Sequence, residues 1–74
     1  MYNPLLNTLI AVAESGSFTK ASEILYISPT GVMKQINALE EHLGLKLLTR
    51  DPQGARLTPA GEIIFRNAKF MIEY

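Results

Sequence analysis

Thr30, Lys34 and Asn37 fall on one side of a helix and set the chemistry this chain can offer. A hydroxyl, an ammonium and an amide so placed form hydrogen bonds and pair with anions; they neither cleave nor transfer bonds. Just before them stand Ser28 and Pro29, a cap hydroxyl followed by a residue suited to the first helical position. No acidic residue lies between Glu23 and Glu40, so the positive N-terminal end of this helix is open to a polyanion. Ser17, Thr19 and Lys20 repeat the hydroxyl-and-cation combination at the start of a shorter helix. Arg50 and Arg56 bracket a turn marked by Pro52 and Gly54, with Gln53 at its tip.

Other chemistries find no residues to carry them. His42 is the only histidine and cysteine is absent, which leaves no disulfide, thiolate site or His cluster. There is no nucleophile paired with a base and no phosphate-cradling glycine loop. The expectation is therefore no catalytic residue, no metal, no cofactor and no enzyme. No basic start leads into an apolar run as in a signal peptide, and no run is long enough to span a bilayer. A soluble protein of the reducing cytoplasm, without a membrane partner, fits these features. The formal net charge of zero weighs against nucleic acid, since most DNA binders are basic. Its distribution weighs the other way: Lys46, Arg50, Arg56, Arg66 and Lys69 in residues 46–72 face only Asp51 and Glu62.

These residues need elements to position them. A first helix follows Pro4, with Leu5, Leu6, Leu9, Ile10, Val12 and Ala13 on its apolar side, and stops at Ser15-Gly16-Ser17. A short second helix runs from about Phe18 to Leu25, capped by Ser17, with Phe18, Ala21, Ile24 and Leu25 as its buried set. The third, from Pro29 to about Leu43, shows a narrow seam of Val32, Ile36, Leu39 and Leu43 and ends at Gly44. Stretches 46–49 and 55–57 pair as a small hairpin. Thr58-Pro59 repeats the cap-and-proline start and opens a last helix. There Glu62, Arg66, Lys69 and Glu73 form a thin charged stripe of i,i+4 pairs, and nearly everything else is apolar. One small domain covers about a 100° stripe of a helix, so the surplus calls for a further surface, a second chain or another domain. The fold class is mostly α: a winged helix-turn-helix with a three-helix core, a small two-stranded wing and a long C-terminal helix.

Residue identities then resemble the LysR-type family of bacterial transcription regulators along essentially the whole chain. The matching pieces are Phe18-Thr19-Lys20-Ala21-Ser22 after Gly16-Ser17, Val32 with Gln35-Ile36, and Leu39-Glu40-Glu41-His42-Leu43-Gly44. Leu47-Leu48-Thr49-Arg50 and Leu57-Thr58-Pro59-Ala60-Gly61 complete them in order. The resemblance implies a DNA-binding domain over residues 1–58 and the start of a linker and dimerisation helix over 59–74. An effector-sensing domain would lie beyond this chain and bind a small molecule. It also implies a homodimer or higher assembly through the last helix, with Ile63, Ile64, Ala68, Met71 and Ile72 at the contact. Double-stranded DNA, as an imperfect inverted repeat, is the implied partner.

The resemblance places Thr30 and Lys34 in the major groove, with Ser28, Pro29 and Asn37 beside them. Met33 is read two ways, against a thymine methyl or packed on the wing or the second helix. Thr19 and Lys20 are expected at the DNA backbone, and Ser17 and Ser28 cap their helices. Arg50 and Arg56 either follow the minor-groove edge or a phosphate, or pair with Asp51 or a glutamate; Gln53 is a weaker contact. The recognition segment departs from the family's usual run: Pro29 replaces glutamine, Met33 a small hydroxyl residue and Lys34 an arginine. Base preference therefore does not carry over. A domain that has lost DNA reading and serves protein interaction is the competing reading, supported by the zero net charge, Pro29 and Met33. Gly31, inside a helix, is read either as a point of close approach or as merely tolerated.

Overall fold

The computed structural model describes residues 4–73, and side chains as far as Phe70. Three helices come first: α1 (Leu5–Ser15), α2 (Phe18–Leu25) and α3 (Pro29–Leu43). Strands β1 (Leu48–Asp51) and β2 (Gly54–Leu57) form the hairpin, and α4 (Pro59–Glu73) closes the chain. The strands are antiparallel and pair Leu48 with Leu57, Thr49 with Arg56, Arg50 with Ala55 and Asp51 with Gly54. This is a winged helix-turn-helix.

α1 is the central element, in contact with α2, α3, α4 and β2. Leu9 and Val12 are fully buried on it, among Ala21 of α2, Val32, Ile36 and Leu39 of α3, and Leu47, Leu48 and Ala55 of the wing. Because several neighbours cover α1, its buried side is not simply its most apolar one. Thr8 and Ala11, which the expected apolar side does not include, are buried. Thr8 tolerates this because its hydroxyl donates to the side-chain oxygen of Gln35 on α3, so the buried oxygen is satisfied.

α2 corrects a second expectation. Ile24 is 57% exposed, and Ser22 is buried in its place. Phe18, Ala21, Ser22 and Leu25 form a stripe at i, i+3, i+4 and i+7, and at 3.6 residues per turn Ile24 falls about 110° away from it. The Ser22 hydroxyl donates to the Thr19 carbonyl at 2.6 Å. In α3 the bounds agree with the sequence reading, although Leu43, last of the expected seam, emerges 37% exposed.

The hairpin begins two residues later than expected because Leu47 is engaged elsewhere. Its N–H donates to a Glu40 carboxylate oxygen at 2.8 Å, and its carbonyl accepts from the Thr58 N–H at 2.9 Å. Pairing with β2 begins at Leu48. Glycine is needed twice in this region. A Cβ on Gly61 would lie 2.0 Å from the Leu47 carbonyl oxygen, and one on Gly54 (φ +140°) 2.3 Å from that of Gly16. The early glycine of the last helix thus lets α4 start directly against the wing.

Candidate nucleic-acid interface

Two helix starts and one hairpin build the polar surface. Ser17 caps α2, its hydroxyl oxygen accepting from the Lys20 N–H at 3.2 Å. The Ser15 hydroxyl donates to the Ser17 carbonyl at 3.0 Å and stiffens the approach. Ser28 caps α3 in the same way, accepting from the Gly31 N–H at 3.0 Å, with Pro29 at the first helical position. Thr19 and Lys20 on α2, and Pro29, Thr30, Lys34 and Asn37 on α3, are exposed. The first turns of both helices hold no acidic residue, so the partial positive charge of their free N–H groups is not cancelled locally.

A Cβ on Gly31 would come 3.3 Å from the Ser28 hydroxyl and 3.6 Å from Ile27. Its close neighbours are therefore the cap and the turn before the helix, not a facing helix. A side chain there would press on the oxygen that holds the first turn.

Wing placement depends on a residue whose role was not legible from its type. One oxygen of Glu40, on α3, accepts from the N–H groups of both Leu47 (2.8 Å) and Leu48 (3.2 Å). Its other oxygen lies 3.7 Å from the Lys46 ammonium. The carboxylate thus ties the far half of α3 to the start of the hairpin while its charge is balanced. On the other side of the wing, the Ala55 N–H donates to the Gly16 carbonyl at 3.0 Å. The hairpin is thus held to the far half of α3 and to the residue before the cap of α2.

A hollow opens between α3, the start of α2 and β1, lined by Phe18, Met33, Asn37, Lys46 and Arg50 among others. The Arg50 guanidinium lies 5.1 Å from the centre of the Phe18 ring, a cation–π arrangement that orders a long side chain. Met33 and Asn37 of α3 are brought together with Arg50 of β1 around the hollow. Phe18 and Lys46 belong to this assembly and were not singled out by sequence reasoning; no pattern at their positions signals it. Arg56 takes the plainer of its two readings, 3.8 Å from Asp51 on the facing strand. Asp51 also accepts from the Gln53 N–H at 2.9 Å and shapes the turn. Gln53 and Arg56 stay exposed.

On α4 the expected contact residues divide. Ala68 is 1% exposed and buried within its own subunit, which removes it from any outward face. Ile64 is half-buried and packs against the core. Among the described residues of α4, Ile63 (58% exposed) and Phe70 (67%) are the large apolar side chains that face outward, seven residues apart and so on one side. Met71 and Ile72 lie outside the described side chains. The Lys69 ammonium is 2.6 Å from Glu14 and fastens α4 to α1, while Glu73, its expected partner in the stripe, lies outside the described side chains. Among the described residues no three metal-ligating side chains gather, and no helix is long and apolar enough to cross a membrane.

Comparison with known proteins bears directly on this arrangement. The family profile for bacterial regulatory helix-turn-helix proteins of the lysR family matches residues 4–62. The chain belongs to that family. It is 43% identical over 68 residues to the transcriptional regulator TfdS of Cupriavidus pinatubonensis, covering 92% of this chain and 23% of TfdS. Among solved structures, the CbnR DNA-binding domain in complex with DNA superposes with a TM-score of 0.91 at 37% identity, covering 99% of this chain and 84% of that one. Full-length LysG from Corynebacterium glutamicum with bound effector Arg gives 0.89 at 41% identity, covering 97% of this chain and 25% of LysG.

Proposed function

We propose that this chain binds double-stranded DNA in a sequence-specific manner as the DNA-binding domain of a LysR-type transcription regulator. The observation that carries the reading is the start of α3. Ser28 caps it, no acid stands in its first turn, and Pro29, Thr30, Lys34 and Asn37 are exposed along it. α3 enters the major groove by that end. Lys34 and Thr30 meet base edges or phosphates there, and Ser17, Thr19 and Lys20 hold the backbone beside it. Arg50, steadied over Phe18, and Gln53 reach the flanking backbone from the wing. Arg56 does so on leaving Asp51. The solved CbnR domain bound to DNA has the same fold.

The neutral net charge loses force as an objection once the acids are located. Glu40 serves two backbone amides, Asp51 shapes the wing turn and Glu14 holds Lys69. None of these three, of seven acids in the chain, is an unopposed charge at the start of α2 or α3, which weakens the charge argument for a protein-interaction reading.

Residues 1–58 act as the reading domain and 59–74 as the start of a linker helix. Ile63 and Phe70 face a second copy there, and the two-fold predicts an imperfect inverted repeat as the operator. In the whole protein, a further domain senses a small-molecule effector in the cytoplasm, and the output is regulation rather than catalysis.

Selection of duplexes from a random pool, with Lys34→Ala run beside the parent, tests the reading. An enriched inverted repeat is expected, bound with an affinity that falls steeply with salt. Lys34→Ala should weaken binding about tenfold with the fold intact. Absence of enrichment, even with two copies tethered, would refute it. Phe70→Glu should shift the chain toward monomer in light scattering, and an unchanged mass would remove α4 as the pairing surface.

A further inference from the structure

We infer that Met33 is a specificity-determining residue that reads the C5 methyl group of one base in each half-site. The inference rests on the DNA-binding reading above and names what the third helix selects.

Met33 lies on α3 about 60° from Thr30, and Lys34 lies about 40° to the other side, at about 100° per residue. The Met33 side is the wing side, because Ile36 and Glu40 follow it there and line the same hollow. Partial burial sets it apart from the core residues of α3. Ile36 is 3% exposed and belongs to the core, and Phe18, Leu25 and Ile27 pack against that core from partly exposed positions; Met33 does not join them. It remains half-buried and lines the hollow together with Asn37 and Arg50. A side chain with one flank covered keeps fewer conformations to lose on binding than a free one, while its other flank is open to a ligand.

What that flank can recognise follows from its chemistry. A thioether carries no donor and only a weak acceptor, so it gains nothing from the amino, carbonyl or ring-nitrogen edges of the bases. The one apolar group displayed in the major groove of unmodified DNA is the thymine methyl. Asn37 and Thr30, next to Met33, hold the hydrogen-bonding capacity, and Lys34 the charge. The exposed side of α3 thus divides into an apolar reader nearest the wing, polar readers in the middle and a cation beyond. A 5-methylcytosine presents the same group and would be taken in place of thymine by the same side chain.

The test uses the inverted repeat recovered from the random pool, bound by the full chain. Each thymine of a half-site is replaced singly by deoxyuridine, which removes only the methyl, and each is then replaced by cytosine or 5-methylcytosine. At one position deoxyuridine should weaken binding about fourfold, the value of one buried methyl, and 5-methylcytosine should bind more tightly than cytosine by a similar factor. In Met33→Ala and Met33→Ser both ratios should fall to one, with circular dichroism and the urea midpoint showing the fold intact. Deoxyuridine without effect at every thymine would overturn the inference and leave DNA reading standing. So would a methyl preference that survives both substitutions. Failure of the chain to bind any duplex in a salt-dependent way would overturn the DNA-binding reading, and this inference with it.

Discussion

Residues 17–43 and residues 46–61 lie side by side in this domain and are held by different means. The helix pair α2–α3 is held by periodic apolar burial and by caps made within a few residues of one another: Ser17 with Lys20, Ser28 with Gly31. The wing has a strand register of four pairs and little interior of its own. It is fixed by single backbone groups meeting distant partners: Leu47 and Leu48 with Glu40, Ala55 with Gly16, Thr58 with Leu47. The first region is stabilised by many small, interchangeable terms, the second by a few that have no substitute.

Substitutions can break that contrast or sharpen it. The largest effect is expected from Gly61→Ala, whose new Cβ would meet the Leu47 carbonyl oxygen at 2.0 Å. Backbone yields less readily than a side-chain tip, so a loss of about 3 kcal/mol is expected in urea unfolding. A loss below about 1 kcal/mol would mean that the wing and α4 slide past each other freely, and the contrast would fail. Next comes Glu40→Ala, which leaves two amides without their acceptor at a cost of about 2 kcal/mol. Glu40→Gln keeps an acceptor oxygen and should recover part of this; equal losses in both variants would show that the carboxylate is not what holds the hairpin. Smallest is Ser28→Ala, a lost helix cap costing about 1 kcal/mol. Proton exchange should report that loss in the first turn of α3, with the wing amides unchanged.

The same contrast explains what could be read from the sequence. α3 was legible to its last residue, because Ser28-Pro29 and Gly44 mark its ends and the Val32–Ile36–Leu39 seam its inner side. The hairpin was legible as a turn between apolar stretches, although its strands begin at Leu48 and Gly54. What escaped was anything decided by residues far apart in the chain. Nothing local to Glu40 indicates that its carboxylate serves amides seven and eight residues on. Nothing local to Lys69 indicates that α1 brings Glu14 within 2.6 Å of it. Ala68 looked available for a partner because helix periodicity cannot tell which neighbour covers a given side. Ile24 shows the opposite failure, an apolar residue assigned to the interior on type although its angle on α2 turns it outward.

Glu40 has a consequence for anyone who would change what this domain reads. Its carboxylate, the Gly16 carbonyl and the bare Cα of Gly61 lock hairpin to helix, yet Pro29, Thr30, Met33, Lys34 and Asn37 take no part in those bonds. The proposed reading surface can therefore be rewritten by exchanging these five positions on the existing scaffold. Grafting the hairpin of a relative is a different undertaking. Unless the graft carries its own acceptor and glycine along, it arrives without an anchor, and the smallest portable cassette runs from Gly16 through Gly61.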